Sequence, residues 1–169
     1  LTERYGNIQP PDIQLVNLRE QLKKRQMQTH FSSELVEKIK TALANREQVI
    51  LFRNRRGYAP FMFCTSCQWV PMCVNCDVSL TYHKHSDSLR CHLCGYRRKP
   101  VHICPACGSS RIILQGFGTE KIEDDLKLLF PEAKIARMDY DTVRTRHGHE
   151  QVIHAFEAGE TDILVGTQM

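Results

Sequence analysis

No stretch of the chain approaches the ~18 consecutive apolar residues of a membrane span, and no charged-then-apolar opening ends in small residues. A membrane anchor and a secretory signal are therefore not expected, and a soluble cytosolic protein is the default. A phosphate loop of the form G-x-x-x-x-G-K-S/T is also missing, since none of the 9 glycines is followed by lysine. The only acidic run, Glu123 to Asp125, falls inside a predicted helix. Nucleotide hydrolysis by these residues alone is thereby excluded. No repeat of roughly 20–50 residues appears. Leu1 is not an initiator methionine, and the chain stops at Met169 straight after Ile163, Leu164 and Val165, so both ends read as cuts and the chain as a fragment. Its 169 residues suit one domain, or one domain carrying a smaller insertion.

What the chain does have is cysteine. The 8 cysteines form four C-x-x-C pairs: Cys64 and Cys67, Cys73 and Cys76, Cys91 and Cys94, Cys104 and Cys107. In a reducing compartment, paired cysteines at this spacing are metal ligands more often than disulfides. Each pair turns two sulfurs toward one point, and Zn²⁺ takes four such donors in a tetrahedron, so four pairs make two closed sites. Three pairings are possible. Between Cys76 and Cys91 lie 14 residues, close to the spacer of a zinc ribbon, which favours Cys73, Cys76, Cys91 and Cys94 as an inner site. Cys64, Cys67, Cys104 and Cys107 then form an outer site that pulls the segment's ends together. Gly95 and Gly108 directly follow second cysteines, where a left-handed backbone is expected.

An iron–sulfur cluster also takes four cysteines, but two separate ribbon-like groups favour zinc. A redox role needs one reactive pair at a helix start, which four equivalent pairs do not resemble. His83, His85, His92 and His102 are expected at the surface or behind the ligands. With four protein donors each, neither ion keeps an open position, so both are structural. Thiolates also revise the charge. The formal value is +4; eight thiolates subtract eight and two Zn²⁺ restore four, leaving about zero. Any grip on nucleic acid has to come from local clusters.

The flanks alternate. Ile13, Leu15 and Val16 suggest an edge strand after Pro10 and Pro11. Ser32 or Ser33 caps a helix carrying Leu35, Val36, Ile39 and Leu43 to about Asn45, and Val49 to Phe52 reads as a buried strand. Beyond the cysteines, strands are expected at Ile112 to Leu114, Ile135 to Met138 and Ile163 to Val165, with helices at Thr119 to Phe130 and about His149 to Ala158. This predicts an α/β fold with a mostly parallel sheet, interrupted by a small double-zinc insertion. The boundaries expected are residues 1–61 for the initial segment and start of the host, 62–110 for the insertion and 111–169 for the host's continuation.

ILFRNRRGYAP from Ile50, the four C-x-x-C pairs, GFGTEKIEDDLKLLFP from Gly116, RMDYDT from Arg137 and the closing ILVGTQM from Ile163 follow one another in a way that closely resembles the PriA family, bacterial replication-restart DNA helicases. The resemblance implies a partial RecA-like helicase lobe, the second of two, within an ATP-driven translocase that walks 3′ to 5′ along single strands. It implies nested zinc pairing in an insertion associated with strand separation. It also implies DNA at stalled or abandoned forks, primosome proteins and single-strand binding protein as partners, and a bacterial cytoplasmic, nucleoid-associated location. ATP and Mg²⁺ belong to the full-length protein only, because the nucleotide-binding lobe and the arginine finger are not among these residues. Asn17 stands where an acidic residue is expected, and Arg53 where an apolar one is common. A stand-alone zinc-ribbon adaptor without a motor is the alternative, and it has no need of the flanking α/β pattern.

Candidate contacts follow from position. Arg53, Arg55 and Arg56 leave a strand at its carboxyl end, where α/β folds place ligands. Gly118, Thr119 and Glu120, after Gly116, form a glycine-flanked helix entry, a place where backbone amides attract phosphate, although an ordinary helix cap is the commoner reading of such a segment. Gly166, Thr167 and Gln168 follow the last strand, and the resemblance makes them the block coupling DNA to ATP, with Thr167 the first choice for a phosphate hydrogen bond. Asp139 and Asp141 have no complementary acid or nucleophile nearby in sequence and read as turn caps. Trp69, Tyr82 and the run Arg97, Arg98, Lys99 offer a face for an unpaired base or for a protein partner. Tyr58 reads as packing.

Overall fold

The computed structural model describes residues 11–143 and 146–168, so Pro10, with the rest of residues 1–10, and Met169 of the closing motif lie outside the described residues. Two compact units are present, with the division after Val36.

In the first unit, helix α1 (Leu18–Lys23) is followed by a minimal hairpin of β1 (Met27–Gln28) and β2 (Phe31–Ser32). Asn17 caps α1, its side-chain oxygen accepting from the amides of Arg19 at 3.1 Å and Glu20 at 3.4 Å. The edge strand expected around Ile13 to Val16 is not formed. Residues 11–17 are irregular, Ile13 and Leu15 are exposed, and the Asn17 cap turns the chain into a helix where a strand would have continued. Helix α2 (Ser33–Ala44) starts as predicted, with the Ser32 hydroxyl accepting from the Leu35 amide at 3.2 Å.

The second unit is built on a parallel sheet in the order β3 (Val49–Phe52), β10 (Ile163–Gly166), β9 (Ile135–Met138). Ile163 lies opposite both Val49 and Ile135, and the register runs on to Gly166 opposite Phe52 and Met138. The central strand β10 buries Ile163, Leu164 and Val165, the continuous apolar run that a strand covered on both faces requires. Helix α3 (Thr119–Leu129) packs on β9 and β10, burying Ile122 and Leu126, and α4 (Arg146–Glu157) packs on β9.

Between β3 and α3 the chain leaves the sheet and returns. Strands β4 (Phe61–Cys64) and β8 (Ile112–Gln115) pair antiparallel, Cys64 opposite Ile112, as a stem. Ile112 to Leu114 therefore does not join the parallel sheet as the α/β alternation suggested; its partner is the outgoing arm of the insertion. Beyond the stem, β5 (Thr81–His83), β6 (Ser88–Arg90) and β7 (Arg97–Arg98) form a small antiparallel sheet. Its core is Met62, Cys73, Leu80, Leu89 and Cys91.

Candidate metal centres and a basic crevice

All four C-x-x-C pairs fold the same way. The amide of the first cysteine donates to the carbonyl five residues on: Cys64 to Trp69 and Cys91 to Tyr96 at 2.9 Å, Cys73 to Val78 at 2.9 Å and Cys104 to Ser109 at 2.8 Å. Gly95 and Gly108 adopt φ of 77° and 71°, and Gln68 accepts the same left-handed strain at 62°. These turns aim the sulfurs into two nested groups. Cys64, Cys67, Cys104 and Cys107 gather at one point, Cys73, Cys76, Cys91 and Cys94 at the other, with the donor atoms of each group within 4.8 Å of one another.

The groups fit zinc. Four sulfurs about 2.3 Å from a tetrahedral Zn²⁺ lie ~3.8 Å apart. Here Cys64 and Cys107 are separated by 3.7 Å, Cys67 and Cys104 by 3.6 Å, and Cys73 and Cys94 by 3.5 Å. All are far beyond a ~2.05 Å disulfide. The thiols themselves call for a cation. The Tyr96 amide, opposed by desolvation, brings Cys94 down to about 6. Desolvation of Cys64 is overcome by the amides of Cys67 and Ser66, which likewise bring it to about 6. Their neighbours pay for this: Cys76 is pushed to about 12, first by the Cys94 sulfur. Cys67 also reaches about 12, the Trp69 amide being outweighed by the crowding of Cys107 and its neighbours. One thiolate per group forms readily, and four together require a metal.

A second feature lies at the carboxyl ends of the parallel strands. There a cavity of about 480 Å³ is lined by Asn54, Arg55, Arg56, His92, Tyr140, Val143, His149, Thr167 and Gln168. Four of the sequence candidates meet in it: Arg55 and Arg56 leaving β3, Thr167 and Gln168 leaving β10. Gly166 ends the strand below them, where an added Cβ would stand 3.1 Å from the Met138 carbonyl.

Other candidates are placed elsewhere. Arg53 continues the sheet, its amide donating to the Gly166 carbonyl at 2.8 Å, and its guanidinium lies over the Phe117 ring. The amides of Gly118, Thr119 and Glu120 donate to the carbonyls of Tyr58, Arg55 and Gly57, so the helix entry has none of the three left for a phosphate. Gly118 is required there, because a Cβ would sit 2.2 Å from the Gly57 oxygen. The Thr119 hydroxyl is buried and donates to Asp139 at 2.5 Å. Asp139 accepts the amides of Asp141 and Thr142 at 3.0 and 3.1 Å, the turn cap that was expected. Tyr82 packs on the insertion core and edge-on against Tyr58, with its hydroxyl on Asp87 at 3.0 Å.

Sequence reasoning missed a buried polar relay. His83, expected at the surface or behind a ligand, is 1 % exposed. Its Nδ1 lies 2.6 Å from Glu120 Oε1 and its Nε2 2.9 Å from His92 Nε2. Arg90 joins Asp141 at 3.2 Å alongside. Desolvation pushes the Glu120 carboxyl up, but His83, Arg137 and the Lys84 amide outweigh it and hold the group below its ordinary value. Desolvation, with Arg56 nearby, pulls His92 down to about 4 and keeps it neutral. The relay joins β5 and the inner cysteine turn to the start of α3. Residues 81–88, Thr-Tyr-His-Lys-His-Ser-Asp-Ser, are mostly polar, and nothing in them signals a buried histidine.

Comparison with known proteins follows the same lines. Residues 73–99 match the model of the PriA DNA helicase Cys-rich region (CRR) domain. The chain is 41 % identical, over its whole length, to the replication restart protein PriA of Bacillus subtilis, and covers 21 % of that protein. It is 40 % identical to the namesake of Haemophilus influenzae over 88 % of the chain and 20 % of the relative. For that of Chlamydia trachomatis the identity is 39 %, over all of the chain and 23 % of the relative. The chain thus spans about a fifth of the length of the curated relatives it matches. Similar across all 169 residues to proteins that share its cysteine-rich region, the chain belongs to the PriA family of replication restart proteins.

Proposed function

We propose that the chain is part of the second, RecA-like motor lobe of an ATP-dependent 3′-to-5′ DNA helicase that acts in replication restart, with a structural double-zinc insertion at residues 62–110 between host segments 1–61 and 111–169. The observation that carries this reading is the crevice at the carboxyl ends of three parallel strands, where Arg55, Arg56, Thr167 and Gln168 converge. Guanidinium groups and a hydroxyl beside strand-end amides suit DNA phosphates, which position a strand without reading its sequence. In this reading Arg55 and Arg56 bind phosphates and Thr167 adds a hydrogen bond. Gly166 and Gln168 link that contact to the nucleotide cleft of the full-length protein, while Arg53, Gly118, Thr119 and Glu120 brace the loop that presents the arginines. ATP and Mg²⁺ bind elsewhere in the full-length protein. Forked and single-stranded DNA, primosome proteins and single-strand binding protein are the partners in the bacterial cytoplasm and nucleoid.

The stand-alone adaptor reading is weaker because the parallel sheet and the insertion fall in one compact unit. Fluorescence anisotropy of the zinc-loaded chain on a labelled fork decides between them. Arg55→Ala should weaken binding about tenfold and lower the salt slope by about one, the effect of one lost phosphate contact. Fork binding unchanged by Arg55→Ala and by Thr167→Val together would remove the support for this reading.

A further inference from the structure

Beside the crevice lies a second cavity of about 500 Å³, with Arg56, Arg90, Leu93, Gly95, Arg97 and Tyr140 in its wall. Arg56, His92 and Tyr140 line both, so the two spaces are neighbours that share these three side chains. One leads from the strand ends, and the other ends at the inner cysteine turn. We propose that the second cavity holds the next nucleotide of a single DNA strand, its base on Tyr140 and its phosphate on Arg97, so that the strand gripped in the crevice runs on past the inner metal centre. This inference rests on the crevice reading.

Charge and exposure support it. Of the three arginines in the cavity wall, Arg90 is taken up by Asp141 at 3.2 Å. Arg56 and exposed Arg97 are left to make the space cationic. A zinc ion held by four thiolates carries a net charge of −2, so a phosphate belongs on the Arg56 and Arg97 side. The cysteine turn offers a base something else: the Leu93 side chain, 73 % exposed, and open space over Gly95.

Tyr140 is built as a platform. It stands between Asp139, fully buried and bonded to the amides of Asp141 and Thr142, and Asp141, held by Arg90. The turn is thereby fixed on both sides while the ring itself stays 64 % exposed. Arg56 lies 5.2 Å from its centroid. An exposed aromatic with a guanidinium against it is the arrangement that takes unpaired bases without regard to sequence.

The test uses the zinc-loaded chain, fluorescein-labelled thymidine oligomers and a second oligomer carrying 2-aminopurine. Tyr140→Ala should weaken binding about tenfold, within the ~1–3 kcal/mol of base–aromatic stacking, and abolish the 2-aminopurine quenching, whereas Tyr140→Phe should keep both. Arg97→Gln should lower the single-strand salt slope by ~0.7. Retention of two zinc ions per chain in each variant reports an intact fold. If Arg55→Ala weakens binding while Tyr140→Ala and Arg97→Gln match the wild type, the crevice reading stands and this inference is overturned. If Tyr140→Ala weakens binding while Arg55→Ala and Thr167→Val together do not, the crevice reading falls and this inference falls with it. An oligomer that does not bind the wild type at all overturns both.

Discussion

Between Phe61 and Gln115 the buried apolar residues are few: Met62, Leu80 and Leu89, joined by Cys73 and Cys91, form the insertion's core. The sheet and its helices bury Ile163, Leu164, Val165, Ile122, Leu126, Phe130 and Val143. The two regions are of similar length but are held by different physics. With three large apolar side chains in its core, the insertion is too small to fold on hydrophobic burial of its own. Sulfur–metal bonds supply what the insertion's core lacks. In the sheet the same task falls to packing, and no metal is needed there.

The largest effect should come from removing the metal. A strong chelator, or Cys91→Ser at the inner site, withdraws binding energy on the order of 10 kcal/mol per site. Hydrogen exchange should then show β5, β6 and β7 unprotected, while the amides of β10 stay protected between β3 and β9. Simultaneous loss of protection in β10 would break the comparison, because it would make the sheet as metal-dependent as the insertion.

The parts of this division differ in how readily they were read from sequence. The cysteine groups were legible because four identical spacings impose one local geometry, and metal chemistry limits what four sulfurs at a point can be. The central strand was legible because Ile163 to Val165 is apolar on both faces. Ile112 to Leu114 was read as a strand correctly and assigned to the wrong sheet, since an apolar run does not say which neighbour it pairs with. The relay was hidden for a related reason. His83 and Glu120 are 37 residues apart, and nothing local in either segment announces that an imidazole and a carboxylate will be buried 2.6 Å from each other. Tyr140 was read only as part of a motif, because its exposure depends on the turn that Asp139 and Asp141 hold.

The seam between the regions gives the intermediate effect. Glu120→Gln removes the charge that His83 faces and one acceptor of the Lys84 amide, at about 1–3 kcal/mol for a buried, charge-assisted contact. Since the carboxyl is held below its ordinary value, its contribution is present in full above pH ~4.5 and fades as pH falls below that. In urea titrations at pH 7, signals from the insertion and from the sheet should both shift in this variant. A shift in one alone would mean that the relay does not join them.

The smallest expected effect sharpens the roles within the sheet region. Thr119 has the position of a phosphate-binding threonine, at a helix start behind two glycines, yet its hydroxyl is buried and donates to Asp139. The same carboxylate caps the turn that presents Tyr140. Thr119→Val keeps the shape and deletes one hydrogen bond, so thermal stability should drop by about 1 kcal/mol, the net worth of such a bond. If Thr119 only braces the turn, the strand affinity lost should be no more than that loosening explains, about twofold, and the salt slope should not change. A loss of strand affinity of about tenfold or more, beyond what the loss of stability explains, would instead mean that Thr119 reaches a phosphate after all, and that α3 opens its amino end when DNA is bound.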